Sequence, residues 1–196
     1  MAHPLTLEQL QQIPPHKYKI IRDELKTGDL IFCCGNYFFS KIIQKFTKSI
    51  WSHIGIIYRD EPLGRILILE SEKVYGVRLA PLSKYLRDYH GKNRPYKGKI
   101  MLARITPEMP QQQVFKAISF GMDELTKPYD NWEVIRIAIR ILFKITRREK
   151  NRNYICSELV QECFKQAGVR FNDNDTKISP DDIWSDSHVQ MMYRLL

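Results

Sequence analysis

The chain is expected to adopt an α+β fold, an antiparallel sheet or partly closed barrel with helices packed on it. Two observations point there. Short apolar runs bounded by turn residues crowd the first half, and three-to-four-residue apolar periodicity dominates the second. Strands followed by helices, without regular alternation, favour an antiparallel sheet over a parallel one.

Residues 1–24 form a polar, partly helical lead-in broken by Pro14 and Pro15, and residues 25–196 read as a single domain. Gly28-Asp29 is a turn signal, and the apolar run after it predicts a strand at 30–34. In "NYFFSKIIQKFTKSIW", Phe38, Phe39, Ile42, Ile43, Phe46 and Ile50 recur at helical spacing, while Lys41, Lys45 and Lys48 mark another face. "SHIGIIY" at 52–58 and "RILILE" at 65–70 read as a hairpin across the six-residue connector "RDEPLG". Further strands are expected at 74–79 and 98–105. Helices are expected near 81–89, 110–126, 131–148 and 154–167, with a short one opened by Ser179 and Pro180.

The chain has 196 residues and a net charge of +9, which favours acidic partners or simple solubility. The four cysteines, Cys33, Cys34, Cys156 and Cys163, are too few for a disulfide scaffold, so reduced thiols and a cytoplasmic location are expected. No signal-peptide pattern and no membrane-spanning run is read. No CxxC pair supports a zinc site, and no metal or cofactor is expected. GxSxG, HExxH and GxxxxGK[ST] are absent, which removes the motif basis for serine-hydrolase, zincin and P-loop readings. Nucleic-acid binding lacks both zinc-finger spacing and an RNP-like strand.

Chemistry concentrates in "NYICSELVQECFK". With Asn153 as N-cap, Cys156 falls at N3, where free N–H groups and the helix dipole favour a thiolate. Cys163 sits on the apolar stripe and reads as core. Cys156 is then either a nucleophile or a small buried side chain. A nucleophilic thiol needs a base and a group that orients the base. Of five histidines, only His53 lies inside a strand. Pairing Tyr58 with Arg65 sets His53 opposite Glu70 on one face, roughly 5 Å apart at Cβ. A one-residue slip sends Glu70 to the other face, where it would pair with a basic surface residue instead.

"LKTGDLIF", "SHIGIIYR", "RILILESEKVYGVRLAPLSKYL", "YICSELVQECFKQAG" and "ISPDDIW" occur in this order between residues 25 and 186. The series resembles the circularly permuted papain-like cysteine hydrolases, the YiiX/YaeF-type branch of the NlpC-type superfamily, and more distantly the lecithin:retinol acyltransferase-like proteins. The order His53, Glu70, Cys156 is permuted relative to papain, where cysteine precedes histidine. The resemblance implies Cys156 as nucleophile, His53 as base and Glu70 as orienting group. It puts Tyr154 on the substrate side, and Ser52 and Ser157, next to base and nucleophile, are assigned there as well.

The expected activity is cleavage of an amide or ester bond through a Cys-linked thioester, as in an amidase or peptidase. The alternatives are a lipid-directed acyl hydrolase or acyltransferase at a membrane surface, and an inactive lipid- or peptide-binding module. The substrate is an acyl, peptide or lipid compound. The basic helices at 36–50 and 131–150 are either core helices with a solvated basic face or contacts for an anionic membrane.

Overall fold

The computed structural model describes residues 5–128, 155–171 and 178–196. The helix expected at 131–150 lies outside the described residues, as do Asn153 and Tyr154.

Six strands make one antiparallel sheet: β1 (Leu30–Gly35), β2 (His53–Asp60), β3 (Arg65–Glu72), β4 (Gly76–Pro81), β5 (Gly98–Ile105) and β6 (Val189–Arg194), in the order β4-β3-β2-β1-β5-β6. Among the described residues the sheet is open, with β4 and β6 at its edges, so of the two expected forms it takes the antiparallel sheet and not the partly closed barrel. Central β1 is buried along its whole length, which explains why "LIFCC" reads as a continuous apolar run: both its faces are covered.

On one face Leu30, Phe32, Ile54, Ile56 and Leu69 join a core that includes residues of α5 (Gln111–Asp123), α6 (Cys156–Gln166) and α7 (Pro180–Trp184). On the other, Ile31, Cys33, Ile57 and Ile68 meet residues of α2 (Tyr18–Ile21) and α4 (Leu82–Arg87). The lead-in begins with α1 (Leu7–Gln12), capped by Thr6. It is tied to the last strand: Arg194 Nη1 donates to the carbonyls of Leu10, Gln11 and Ile13. As expected, Ser179 caps α7, its Oγ accepting from Asp182 N at 3.2 Å, with Pro180 in the first turn. No described helix is long and apolar enough to cross a membrane.

The β2–β3 hairpin differs in detail from the sequence reading. Strand pairing continues to Asp60↔Arg65, so the loop is the four residues 61–64, and Tyr58 faces Leu67 rather than Arg65. The register is displaced by two residues. A shift of two preserves which face each side chain occupies.

Candidate active site

Aromatic packing and a serine staple fix the start of β2. Trp51 packs between Phe32 and Trp184, with ring centroids 5.5 and 4.7 Å away. Ser52 Oγ accepts from Gly35 N at 3.0 Å and donates to the Cys33 carbonyl at 3.1 Å. His53, next in sequence, pairs with Cys33 across the β1–β2 ladder. The backbone leading into His53 is therefore fixed by the Ser52 hydrogen bonds and the Trp51 packing.

Glu70 is the best-supported side chain in the region and has 0% exposure. Its Oε2 lies 2.7 Å from His53 Nε2 and accepts from the Tyr85 hydroxyl at 2.5 Å. Its Oε1 accepts from Arg78 Nε at 2.9 Å, with Arg78 Nη2 at 2.8 Å. A buried carboxylate is costly unless fully hydrogen-bonded. Burial alone would raise the pKa of Glu70. The hydrogen bond and charge of His53, the charge of Arg78 and the Tyr85 hydroxyl outweigh it and hold the carboxyl below its usual range. Burial and the Glu70 charge push the Tyr85 phenol well above its ordinary value, so it remains a donor.

Cys156 opens α6. The N-cap is Ile155, in extended conformation, so Cys156 occupies the first helical position and not the third expected from an Asn153 cap. It is 4% exposed. Burial opposes a charge on His53, but its hydrogen bonds to Cys156 and Glu70 and their negative charges prevail, raising it to about 10. Cys156 and Glu70 thus both act on the His53 imidazole, with Glu70 Oε2 at 2.7 Å from Nε2.

The other thiols lack such a partner set. Burial, then the charges of Glu70 and Cys156, raise Cys33 well above the usual thiol value. Burial also raises Cys34, and it pushes Cys163, packed between α5 and α6, to about 12. Ser157, beside the candidate nucleophile, is fully buried and donates to the Ile178 carbonyl at 2.6 Å. Ser52 and Ser157 are thus both engaged with backbone. Gly28 and Asp29 form a structural turn: Gly28 has φ of +96°, and Asp29 accepts from Lys26 N and pairs with Arg104.

Sequence reasoning missed Arg78 and Tyr85. Arg78 had a signal, since it stands directly opposite Glu70 in the β3–β4 ladder. Tyr85 had none, because α4 reaches Glu70 only through the tertiary fold.

A cleft of about 520 Å³ lies elsewhere, lined by Asp29, Arg59, Arg104, Glu108, Met109 and Phe115 among others. Arg59 is near the far end of β2, about 20 Å along the strand from His53. The Asp29–Arg104 and Lys26–Glu108 pairs each close at 2.7 Å, and none of the three candidate residues lines this cleft.

A family model described as "permuted papain-like amidase enzyme, YaeF/YiiX, C92 family" matches residues 24–193. The chain belongs to the YaeF/YiiX family of permuted papain-like amidases. Membership places this YaeF/YiiX-family chain among cysteine hydrolases of the amidase type. A solved structure described as the metalloprotein yiiX from Escherichia coli O157:H7 shares the fold, with a TM-score of 0.62 and 21% identity over 85% of this chain and 96% of that one. A search of the curated proteins found no match.

Proposed function

We propose that this YaeF/YiiX-family chain hydrolyses an amide or ester through a thioester on Cys156, with His53 as acid and base and Glu70 as the orienting carboxylate. The observation that carries the reading is the buried Glu70, held by Tyr85 and Arg78 and turned onto His53 Nε2 at 2.7 Å. That contact leaves Nδ1 to serve the thiol.

A proton moves from Cys156 Sγ to His53, and an imidazolium raised to about 10 retains it at neutral pH. The thiolate attacks the carbonyl carbon, forming the S–C bond. The oxyanion is stabilised by first-turn N–H groups of α6, including that of Cys156, because such groups have no intrahelical acceptor. His53 gives its proton to the leaving amine or alcohol as the C–N or C–O bond breaks. Water then attacks the thioester and His53 takes its proton. The C–S bond breaks, the carboxylic acid leaves and the thiolate is restored. Glu70 stays ionised throughout and supports the imidazolium.

The solved relative is described as a metalloprotein. Among the described residues no group of three or more His, Cys, Asp or Glu is placed to hold a metal ion. His53 and Glu70 are turned on each other. These residues do not fit a metal centre, and no step is routed through one.

Intact-mass spectrometry tests the reading, after brief incubation with panels of peptide, N-acyl and acyl-ester compounds. The expected result is an acyl adduct mapping to Cys156 and absent from Cys156→Ala. An adduct on another residue, or turnover by Cys156→Ala, would overturn it.

A further inference from the structure

The helix α3 (Phe38–Thr47) is attached to the protein by its polar edge. Gln44 Nε2 donates to the Gly35 carbonyl at 3.1 Å and the Ile50 carbonyl at 2.8 Å. Ser40, one turn earlier on the same edge, packs against Gly35. At helical spacing, Phe38, Phe39, Ile42, Ile43 and Phe46 lie on the opposite side. No residue of α3 is buried, and none of these five packs into or against either core cluster among the described residues. A surface helix ordinarily turns its apolar stripe inward. Here Phe38 is exposed, and Phe39, Ile42, Ile43 and Phe46 are only half-buried.

A second element extends this face. In the β3–β4 turn, Lys73 Nζ sits 3.5 Å from the centre of the Phe39 ring. Next to Lys73, Val74 is 68% exposed and Tyr75 is 53% exposed; Phe38 is 82% exposed. Three exposed apolar side chains on two elements joined by the Lys73–Phe39 contact, beside a half-buried apolar stripe, are more than the scattered exposure of an ordinary surface. The charge around them is mainly positive. Lys41, Lys45 and Lys48 lie on or just after α3, Lys73 covers Phe39, and residues 36–51 contain no Asp or Glu. Two carboxylates border the face and both are engaged: Asp181 accepts from Ser49 Oγ at 2.6 Å and Glu72 from Val74 N at 2.9 Å.

We propose that α3 and the β3–β4 turn form a docking surface for an anionic lipid membrane. Phe38, Val74 and Tyr75 enter the headgroup region, and the four lysines meet lipid phosphates, the arrangement of an interfacial amphipathic helix. The surface also borders the candidate site. The Arg78 guanidinium lies 4.5 Å from the centre of the Tyr75 ring and bonds Glu70. Docking would therefore bring the Cys156 end of the molecule to the lipid, selecting acyl compounds held in or near a membrane. The docking claim goes beyond the proposed chemistry and does not depend on it.

The test is co-sedimentation of the full chain with vesicles of phosphatidylglycerol and phosphatidylcholine, against phosphatidylcholine alone. Binding is expected only with the anionic vesicles and should weaken as salt rises. Each lysine at an anionic surface contributes about fivefold, so Lys41→Gln with Lys45→Gln should bind roughly 25-fold more weakly. Phe38→Ser and Val74→Ser, both exposed, should also weaken binding without lowering the melting temperature. Cys156→Ala should bind like the parent, which separates failure of docking from failure of the chemistry. Equal binding to both vesicle types, or variants that bind like the parent, would overturn the proposal. So would a drop in melting temperature or a change of oligomeric state in the Phe38 variant, because the face would then be covered by protein.

Discussion

His53 and Glu70 meet at 2.7 Å although the strand register does not make them partners. The β2–β3 ladder pairs Ile56 with Leu69, and continued inward it sets Gly55, not His53, opposite Glu70. The contact is diagonal. It needs a long carboxylate side chain and a neighbour with no side chain in the way, and Gly55 supplies the second.

Gly55→Ala should therefore damage the site from within the sheet. A Cβ there would lie 2.6 Å from Ile68 Cγ2, 3.1 Å from the Leu69 carbonyl and 3.3 Å from Glu70 Cβ. Overpacking of this kind costs about 1–3 kcal/mol. Activity should fall by more than the lost stability explains, as measured at a temperature where the variant is fully folded by circular dichroism.

Tyr85→Phe removes one of the donors holding Glu70. Leaving a buried carboxylate short of a partner costs about 1–3 kcal/mol. If Tyr85 acts as a positioning residue, kcat should drop while KM stays near the parent value. An unchanged kcat would reduce Tyr85 to a stability role.

Glu70→Gln keeps the shape and removes the charge. The analogous change in a Ser-His-Asp triad lowers kcat by about 10⁴, and a loss of roughly 10²–10⁴ is expected here. The His53 titration, followed by imidazole NMR, should move down, since Glu70 is one of the groups raising it.

Stability should depend on pH in two opposite senses. His53 is raised from 6.5 to about 10, so its contribution is complete below about 6.5 and is lost as pH rises to about 10. Glu70 is lowered from 4.5, so its contribution is present above that value and is lost as pH falls through the folded-state pKa. Urea midpoints should fall between pH 6.5 and 10, and in Cys156→Ala the fall should finish at lower pH, because Cys156 is a cause of the His53 shift. A midpoint constant over that range would contradict the assignment.

Much of this arrangement was legible in the sequence, for identifiable reasons. Five of the six strands carry turn residues and apolar runs that locate them within about two residues. The sixth, Val189–Arg194, has burial that does not alternate cleanly and sits at a sheet edge, so no period-two signal marks it. His53 and Glu70 were placed on one face with the wrong loop length, and the face survived because the error was an even number of residues. The α6 start was misplaced because Asn153 is the better cap by side chain, whereas the backbone turns at Ile155. The α3 periodicity identified an apolar face but could not say what that face meets. Tyr85 was invisible because only the tertiary fold brings α4 to Glu70.

The most direct measurement is the order in which iodoacetamide alkylates the four cysteines, followed by peptide mapping in the parent and in His53→Ala. The account predicts that Cys156 reacts first in the parent and markedly more slowly in His53→Ala, with Cys33, Cys34 and Cys163 lagging in both. Faster alkylation of Cys33 or Cys34 with Cys156 inert, or a Cys156 rate indifferent to His53, would contradict it.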